Sequence, residues 1–532
     1  MLSLTARHRP IAAAIGLACS LGVLAGCGGA ETTQIIAPDF VGGAVSGEPR
    51  AALIARDVLA AGGTAADAAV AGYFALSVTL PSSVGLGGGG SCAVYDRRNN
   101  VGEIIDFPAV ASGPEANAVA IPAAPRGMFA LHARYGRIAI DQLMLPAERL
   151  ARFGEPVSRA LAEDVAFAGR AIAQIPDMRQ SFVIQDRLVR EGDPLSHLDL
   201  GATLSRLRQA GIGDLYTGRM ARDLSAAIEQ GGGSLPMAAL QAYVPRWRPH
   251  DGLEIGLHKV ALASTDPVNG AIAGSQWRML TEGRAYAGAS AADRPHLLAE
   301  ASLRAHRAVA DQIRADGKVR ILSEEEAKAA MRGYDRARAS GGAGAAALPL
   351  SAPAHGGPGA AGLVTYDNAG QMVACAFTMN TPFGTVRKAP GLGFIVAPPP
   401  APAGQLGPVG HAMVVFNENS KNLFFTGTGS GGFSATSALI RVALDAIAVE
   451  TPLDQAVAAP RLHLGGNADT LWYEKDTPET ARADLAARGY RLEEGRHFGR
   501  VQAAHCPQGL PGNRFCIRAT DPRGYGLAAS GG

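Results

Sequence analysis

The stretch Gly356–Gly370, GGPGAAGLVTYDNAG, joins a loose Gly-rich segment to a short apolar strand pattern closed by the turn DNAG. Chains that cut themselves to free an N-terminal nucleophile pass from linker to strand in this way. Thr, Ser or Cys then stands at the junction, because the chemistry needs a hydroxyl or thiol beside its own new α-amine. Here the junction holds Ala360 and Ala361. FTMNTPFG places Thr378 and Asn380 at the end of an apolar run, and GTGSGGFSAT places Gly431 and Gly432 ahead of a helical pattern. Thr and Asn at a strand end also cap turns, and a Gly pair also serves tight packing.

The six cysteines divide by position. Arg7, His8 and Arg9 precede the apolar run Ile11–Ala25, which closes on Leu24–Cys27, LAGC. A basic start, a short apolar run and a small-residue site directly before Cys read as a bacterial lipoprotein signal over residues 1–26, with Cys27 lipidated. The run is shorter than the about 20 apolar residues of a membrane-spanning helix. A lipid on Cys27 would tie the chain to the membrane, on the periplasmic face of the cell envelope. In that oxidising compartment Cys506 and Cys516 are expected to close the loop CPQGLPGNRFC as a disulfide. Cys92 and Cys375 lie in apolar strand patterns, as buried thiols or as a second pair if their strands adjoin. No Cys/His spacing resembles a zinc site, and no cofactor or metal is expected.

The 532 residues include 49 basic and 47 acidic side chains, a balance without the basic stripe of a nucleic-acid binder. With 47% hydrophobic residues and 67 glycines, the chain reads as Ala-rich helices joined by Gly-rich turns around a large core. Residues 48–80 read as two helices, with a stop at Gly62–Gly63, a cap at Thr64 and Pro81 beyond the end. A Gly loop then feeds a strand, a turn at Arg97–Asn100 and a second strand. That loop lacks the Lys-Ser/Thr of a phosphate-binding loop. Residues 121–320 read as mostly helical. Residues 334–359 form a mobile Gly/Ala/Pro linker. Beyond it come the strands AGLVTYD, QMVACAFTMN, GHAMVVF and NLFFTGT, then the helix SATSALIRVALDAIA.

Several of these stretches together resemble the γ-glutamyltranspeptidases. VLAAGGTAADAAVAGYFALSVTLPSSVGLGGGGSCAVYD, IPAAPRGMFALHARYGRIAIDQLMLPAERLARFGEPV, LYTGRMARDLSAAIEQGGGSL, HLLAEASLRAHRA, DNAGQMVACAFTMNTPFGT and APRLH occur in the family's order along most of the chain. The resemblance implies an α/β fold: the αββα sandwich of N-terminal-nucleophile hydrolases, with a large helical insertion in the first half. It also implies a large-subunit-like region over residues 27–359 and a small-subunit-like region over residues 360–532. The family's ligands are γ-glutamyl amides, so a γ-glutamyl or other small amide ligand is the partner expected here.

Seven residues before Asp367, the family's nucleophilic Thr falls on Ala360, its Thr neighbour on Ala361 and the next His on Gly362. The Arg that grips the substrate carboxylate falls on Pro108. The acidic pair that holds the substrate ammonium falls in GFIVAPPPAPAG, which has no carboxylate. The Ser-Ser-Met-Ser segment corresponds to GPVGHAM, with His411. Thr378 matches the Thr that supports the nucleophile, Asn380 a ligand contact, and Gly431 and Gly432 the oxyanion amides. Ser351, with His355 nearby, and Thr365 are the displaced nucleophiles the sequence offers. Cutting at the first leaves a dangling Pro/Gly start, and cutting at the second destroys the strand. The expectation is a catalytically degenerate, unprocessed lipoprotein of this family. The alternatives are an active amidohydrolase with altered specificity and a displaced nucleophile, or an assembly lipoprotein.

Overall fold

The computed structural model describes residues 41–341, 357–401, 409–432, 434–464, 470–495, 498–511 and 515–531. The signal segment, Cys27, Ser351 and His355 lie outside the described residues.

Helix Pro49–Ala60 ends before the expected Gly62–Gly63 stop, and Ala65–Thr79 begins at a Thr64–Asp67 capping box. The second helix is buried along its whole length, as its run of small residues requires. It lies on a seven-stranded antiparallel sheet. The strand order is Leu527–Gly531, Gly42–Ser46, Ala360–Asp367, Gln371–Thr378, Gly89–Asp96, Val101–Phe107 and Arg246–Pro249. A six-stranded antiparallel sheet faces it, ordered Ile517–Thr520, Arg500–Leu510, Asn422–Ser430, His411–Asn417, His258–Ser264 and Leu253–Ile255.

Strand alternation sorts the core. Val364 and Tyr366 meet Val414 and Phe416 between the sheets, whereas Leu363, Cys375 and Phe377 meet Val70 and Phe74 under the Ala65–Thr79 helix. On the far side, Met413, Val415 and Phe425 pack against Trp277, Leu439 and Ala443 from helices Pro267–Thr281 and Ala435–Ala448. Four layers result, helix–sheet–sheet–helix. The insertion adds helices Ala124–Tyr135, Ile140–Phe153, Arg159–Gln174, Leu198–Ala210 and Arg219–Gln230. No described helix is long and apolar enough to cross a membrane.

Two expectations change. The 121–320 region contains strands as well as helices, and one of them, His258–Ser264, is an inner strand of the second sheet. Its apolar run VALA is too short to separate strand from helix by period. Pairing with His411–Asn417 makes it a strand. The first part of the 334–359 linker is also anchored. Tyr334 stacks on His296, Arg336 pairs with Asp293, and the Ser340 amide donates to Glu300 at 2.8 Å. An aromatic and a cation within the Gly/Ala composition supply these anchors.

Both cysteine pairs are disulfides. Cys506 bonds Cys516, and Cys92 bonds Cys375 directly opposite it on the neighbouring strand.

Candidate functional site

Ala360 begins its strand buried and directly opposite Thr378. Gly359, just before it, has φ 109°, a conformation that only glycine holds without strain. Its N–H donates to Ser83 Oγ at 2.9 Å. Its carbonyl oxygen accepts from Thr378 Oγ1 at 2.8 Å and from the Met379 amide at 3.1 Å. Thr378 Oγ1 also accepts from the Asn380 amide at 3.0 Å. The Asn380 side-chain nitrogen donates to the carbonyls of Ala109 (3.1 Å) and Pro398 (2.9 Å), using both of its hydrogens on main chain. Asn380 itself sits at φ 61°, which Asn tolerates better than most residues.

Ser83 opens a chain of polar groups that the sequence did not disclose. Its neighbour Ser82 donates to Asp164 on helix Arg159–Gln174 at 2.5 Å. Burial pushes the Asp164 carboxyl up to about 6, against the pull of Arg500 and the Ser82 bond. Arg500 stands opposite Ser430 in the second sheet, so the following pair, Gly431 and Gly432, lies at the same end of the sandwich as Gly359. Both glycines have positive φ, 100° and 84°, and a Cβ on Gly431 would sit 3.3 Å from the Gly499 Cα. Asp164 carries no sequence signal, because its helix reads as an ordinary amphipathic one.

The other sequence candidates fall elsewhere. Thr365 points to the helix layer and donates to the Ala65 carbonyl at 2.7 Å. His411 lies on the far face of its strand, 2.7 Å from Thr436 Oγ1, and burial holds its imidazole down to about 4. Pro108 accepts the Tyr243 hydroxyl at its carbonyl (3.0 Å) and borders a cleft of 800 Å³ that Asp106, Arg246 and Asp266 also line. Arg248 there is paired with Asp106 and Asp251. Arg246 has no ion-pair partner among the described residues. No group of His, Cys, Asp and Glu among the described residues has the arrangement of a metal site.

A four-layer antiparallel sandwich whose strand begins at a buried junction behind a mid-chain linker defines the N-terminal-nucleophile hydrolase class. The structure of a cephalosporin acylase from Bacillus halodurans matches with a TM-score of 0.75 over 92% of this chain and 96% of that one, at 21% identity. The gamma-glutamyltranspeptidase family model matches residues 51–397 and 410–531, and the chain belongs to that family. It is 27% identical over 556 aligned residues to the glutathione hydrolase proenzyme of Pseudomonas aeruginosa, covering 94% of this chain and 96% of the relative. The glutathione hydrolase proenzyme of Bacillus subtilis is 31% identical over 233 residues. That alignment takes in 39% of this chain and 40% of the relative's length.

Proposed function

We propose that this chain is a member of the γ-glutamyltranspeptidase family that neither cuts itself nor transfers an acyl group. In this reading it stays one polypeptide, held at the bacterial cell envelope by lipid on Cys27. One observation carries the reading: the residue that begins the strand opposite Thr378 is Ala360, and a methyl group cannot attack a carbonyl. The engagement of the Thr378 hydroxyl and the Asn380 side-chain N–H groups with Gly359, Ala109 and Pro398 supports it, since neither donor is left to hold a substrate. Pro108 supports it too, lacking the cation that a γ-glutamyl carboxylate needs. The cleft beside Pro108 has room for a small amide ligand.

The mature protein on a reduced denaturing gel is expected to run as a single full-length band, without turnover of a γ-glutamyl anilide. A second band whose N-terminal sequence begins at Ser or Thr would overturn the unprocessed state. Mass spectrometry of the N-terminal peptide is expected to find diacylglycerol on Cys27, and an unmodified cysteine there would remove the anchor.

A further inference from the structure

Both sheets turn their hairpins at the end of the sandwich opposite Ala360. Turns at residues 368–370 and 97–100 join strands of the first sheet there. Residues 418–421, residues 256–257 and the loop between Cys506 and Cys516 join strands of the second. The two sets of tips coincide, because the Asn100 side-chain nitrogen donates to the Glu418 carbonyl at 3.1 Å and Arg518 reaches the Tyr366 hydroxyl at 3.1 Å. Asn417 donates to the Leu257 carbonyl at 3.0 Å, which ties the third tip to the others. Ala360, Pro108 and Gly431 all stand at the other end of their strands.

Two large apolar side chains stand out from these tips. Leu257 is 81% exposed, and Phe515, beside the Cys506–Cys516 bond, is 62% exposed. One exposed leucine alone needs no explanation, but here cations accompany the pair. Arg98 and Lys421 are exposed on two further tips, without an ion-pair partner among the described residues. The carboxylates of this end are already engaged. Asp96 accepts from Asn99, Asp367 from the Ala65 and Gln371 amides, Glu254 pairs with Lys259, and Glu418 is 3.6 Å from His250. The same end receives the chain from Cys27. Val41 bonds the Gly531 carbonyl and the Asn368 amide there, fourteen residues after that cysteine. Fourteen residues span at most about 50 Å.

We propose that this end of the sandwich docks on the surface of a bilayer with anionic headgroups. Leu257 and Phe515 enter the interface, and Arg98 and Lys421 meet lipid phosphates. The assignment rests on the proposed lipid at Cys27 and goes beyond it by fixing which way the chain faces. Two acyl chains hold a protein at a membrane without help, so the tips add orientation rather than attachment. Each Lys or Arg close to an anionic surface strengthens the attraction by about fivefold, and exposed Leu and Phe favour the headgroup–acyl boundary. Docked in this way, Ala360 and the cleft beside Pro108 face away from the bilayer, and a ligand reaches them from water rather than from lipid.

The test places the full mature chain on vesicles of phosphatidylethanolamine and phosphatidylglycerol. A polarity-sensitive nitrobenzoxadiazole label is carried on Leu257→Cys or, at the opposite end, on Val244→Cys, where the native side chain is 71% exposed. The label at 257 is expected to shift its emission to the blue and to lose its quenching by iodide, while the label at 244 stays quenched. Omitting phosphatidylglycerol, or adding Arg98→Glu with Lys421→Glu, should return quenching at 257, with near-UV circular dichroism checking the fold. Flotation with the vesicles reads the anchor separately. A chain that floats but is quenched equally at both positions overturns the docking and leaves the anchor standing; a chain that does not float removes both. Protection at 257 that survives the charge reversals in a folded variant overturns the headgroup contact. Protection that follows the number of chains per vesicle rather than the lipid assigns the tips to a second copy and overturns the proposal.

Discussion

The junction at Ala360 is buried, whereas the 440 Å³ cavity of the outer helical layer, lined by Gln276, Arg294 and Thr477 among others, has exposed residues such as Ala291, Gln455 and Pro478 along it. Both carry Thr, Ser and amide side chains, yet their hydrogen bonding differs. Around Ala360 the hydroxyl of Thr378 and the amide of Asn380 are engaged with main-chain groups. Around the cavity, Gln276 Oε1 and Thr477 Oγ1 have no partner and Arg294 has no counter-charge among the described residues. Buried polar groups are normally satisfied, so an unsatisfied one needs an explanation and a satisfied one does not. Residue type alone does not distinguish a binding surface from a braced turn. Unused bonding capacity does not either, for Thr428 Oγ1, packed against Gly362 on the junction strand, is buried and has no partner.

The largest change expected would break that contrast. The Gly359 carbonyl oxygen already accepts from Thr378 and from the Met379 amide, donors placed where a tetrahedral intermediate would carry its charge. Ala360→Thr is therefore expected to convert part of a chain that otherwise stays whole into two fragments. The smaller should begin at residue 360 by N-terminal sequencing, and adding Thr378→Ala should stop the conversion. γ-Glutamyl turnover should stay absent in both variants, because Pro108 still offers no cation.

Next is the brace of the cavity wall. Arg461, buried between Pro460 and Leu462, bonds Asp521 at 2.5 Å and the carbonyls of Phe498 and Gly499. Asp521→Ala leaves that cation without its counter-charge and should cost about 3–5 kcal/mol in urea unfolding. A loss below about 1 kcal/mol would mean that the carbonyls alone suffice.

Acid should act on both regions. Burial holds His411 and His505 down to about 4, and His197 and His463 down to about 3. Unfolded histidines take up a proton near pH 6.5, where these folded ones do not, so stability falls as pH drops from about 6.5 toward 4. The slope is about 1.4 kcal/mol per pH unit for each such group. Asp164, Glu48 and Asp367 work the other way, since a carboxyl raised by burial binds its proton more tightly when folded. They stand against six histidines that burial holds down, His258 and His306 included. Urea midpoints between pH 7 and 5 measure the sum, and His411→Gln should flatten the slope by one histidine's share.

The smallest effect should come from Asn380→Ala. It leaves two carbonyls without their donor and should cost about 1–3 kcal/mol in urea unfolding.

Much of this architecture is legible in the residues. The Thr64 cap, the Gly62–Gly63 stop and the hairpin after Ala360 are set by local chemistry, and the hairpin fixes Ala360 opposite Thr378 by counting from the turn at Asp367. What cannot be read locally depends on partners far along the chain. Asn380 reaches Ala109 across 271 positions, and Gln276 reaches Leu298 from another helix, so neither satisfied nor unsatisfied groups reveal themselves in the sequence. The pairing of Cys92 with Cys375 likewise required knowing that their strands adjoin. His258–Ser264 escaped for a different reason, a run too short to carry a period.

The Cys92–Cys375 bond has a topological consequence. It ties a strand of the region before residue 360 to one after it, and Gly42–Ser46 is itself threaded between Ala360–Asp367 and Leu527–Gly531. A nick anywhere between residues 341 and 357 would open the backbone without separating the pieces, which would remain one covalent molecule until a thiol reductant was added. Continuity of the chain and integrity of the molecule are thus independent properties here, and a gel run without reductant would report a cut protein as whole.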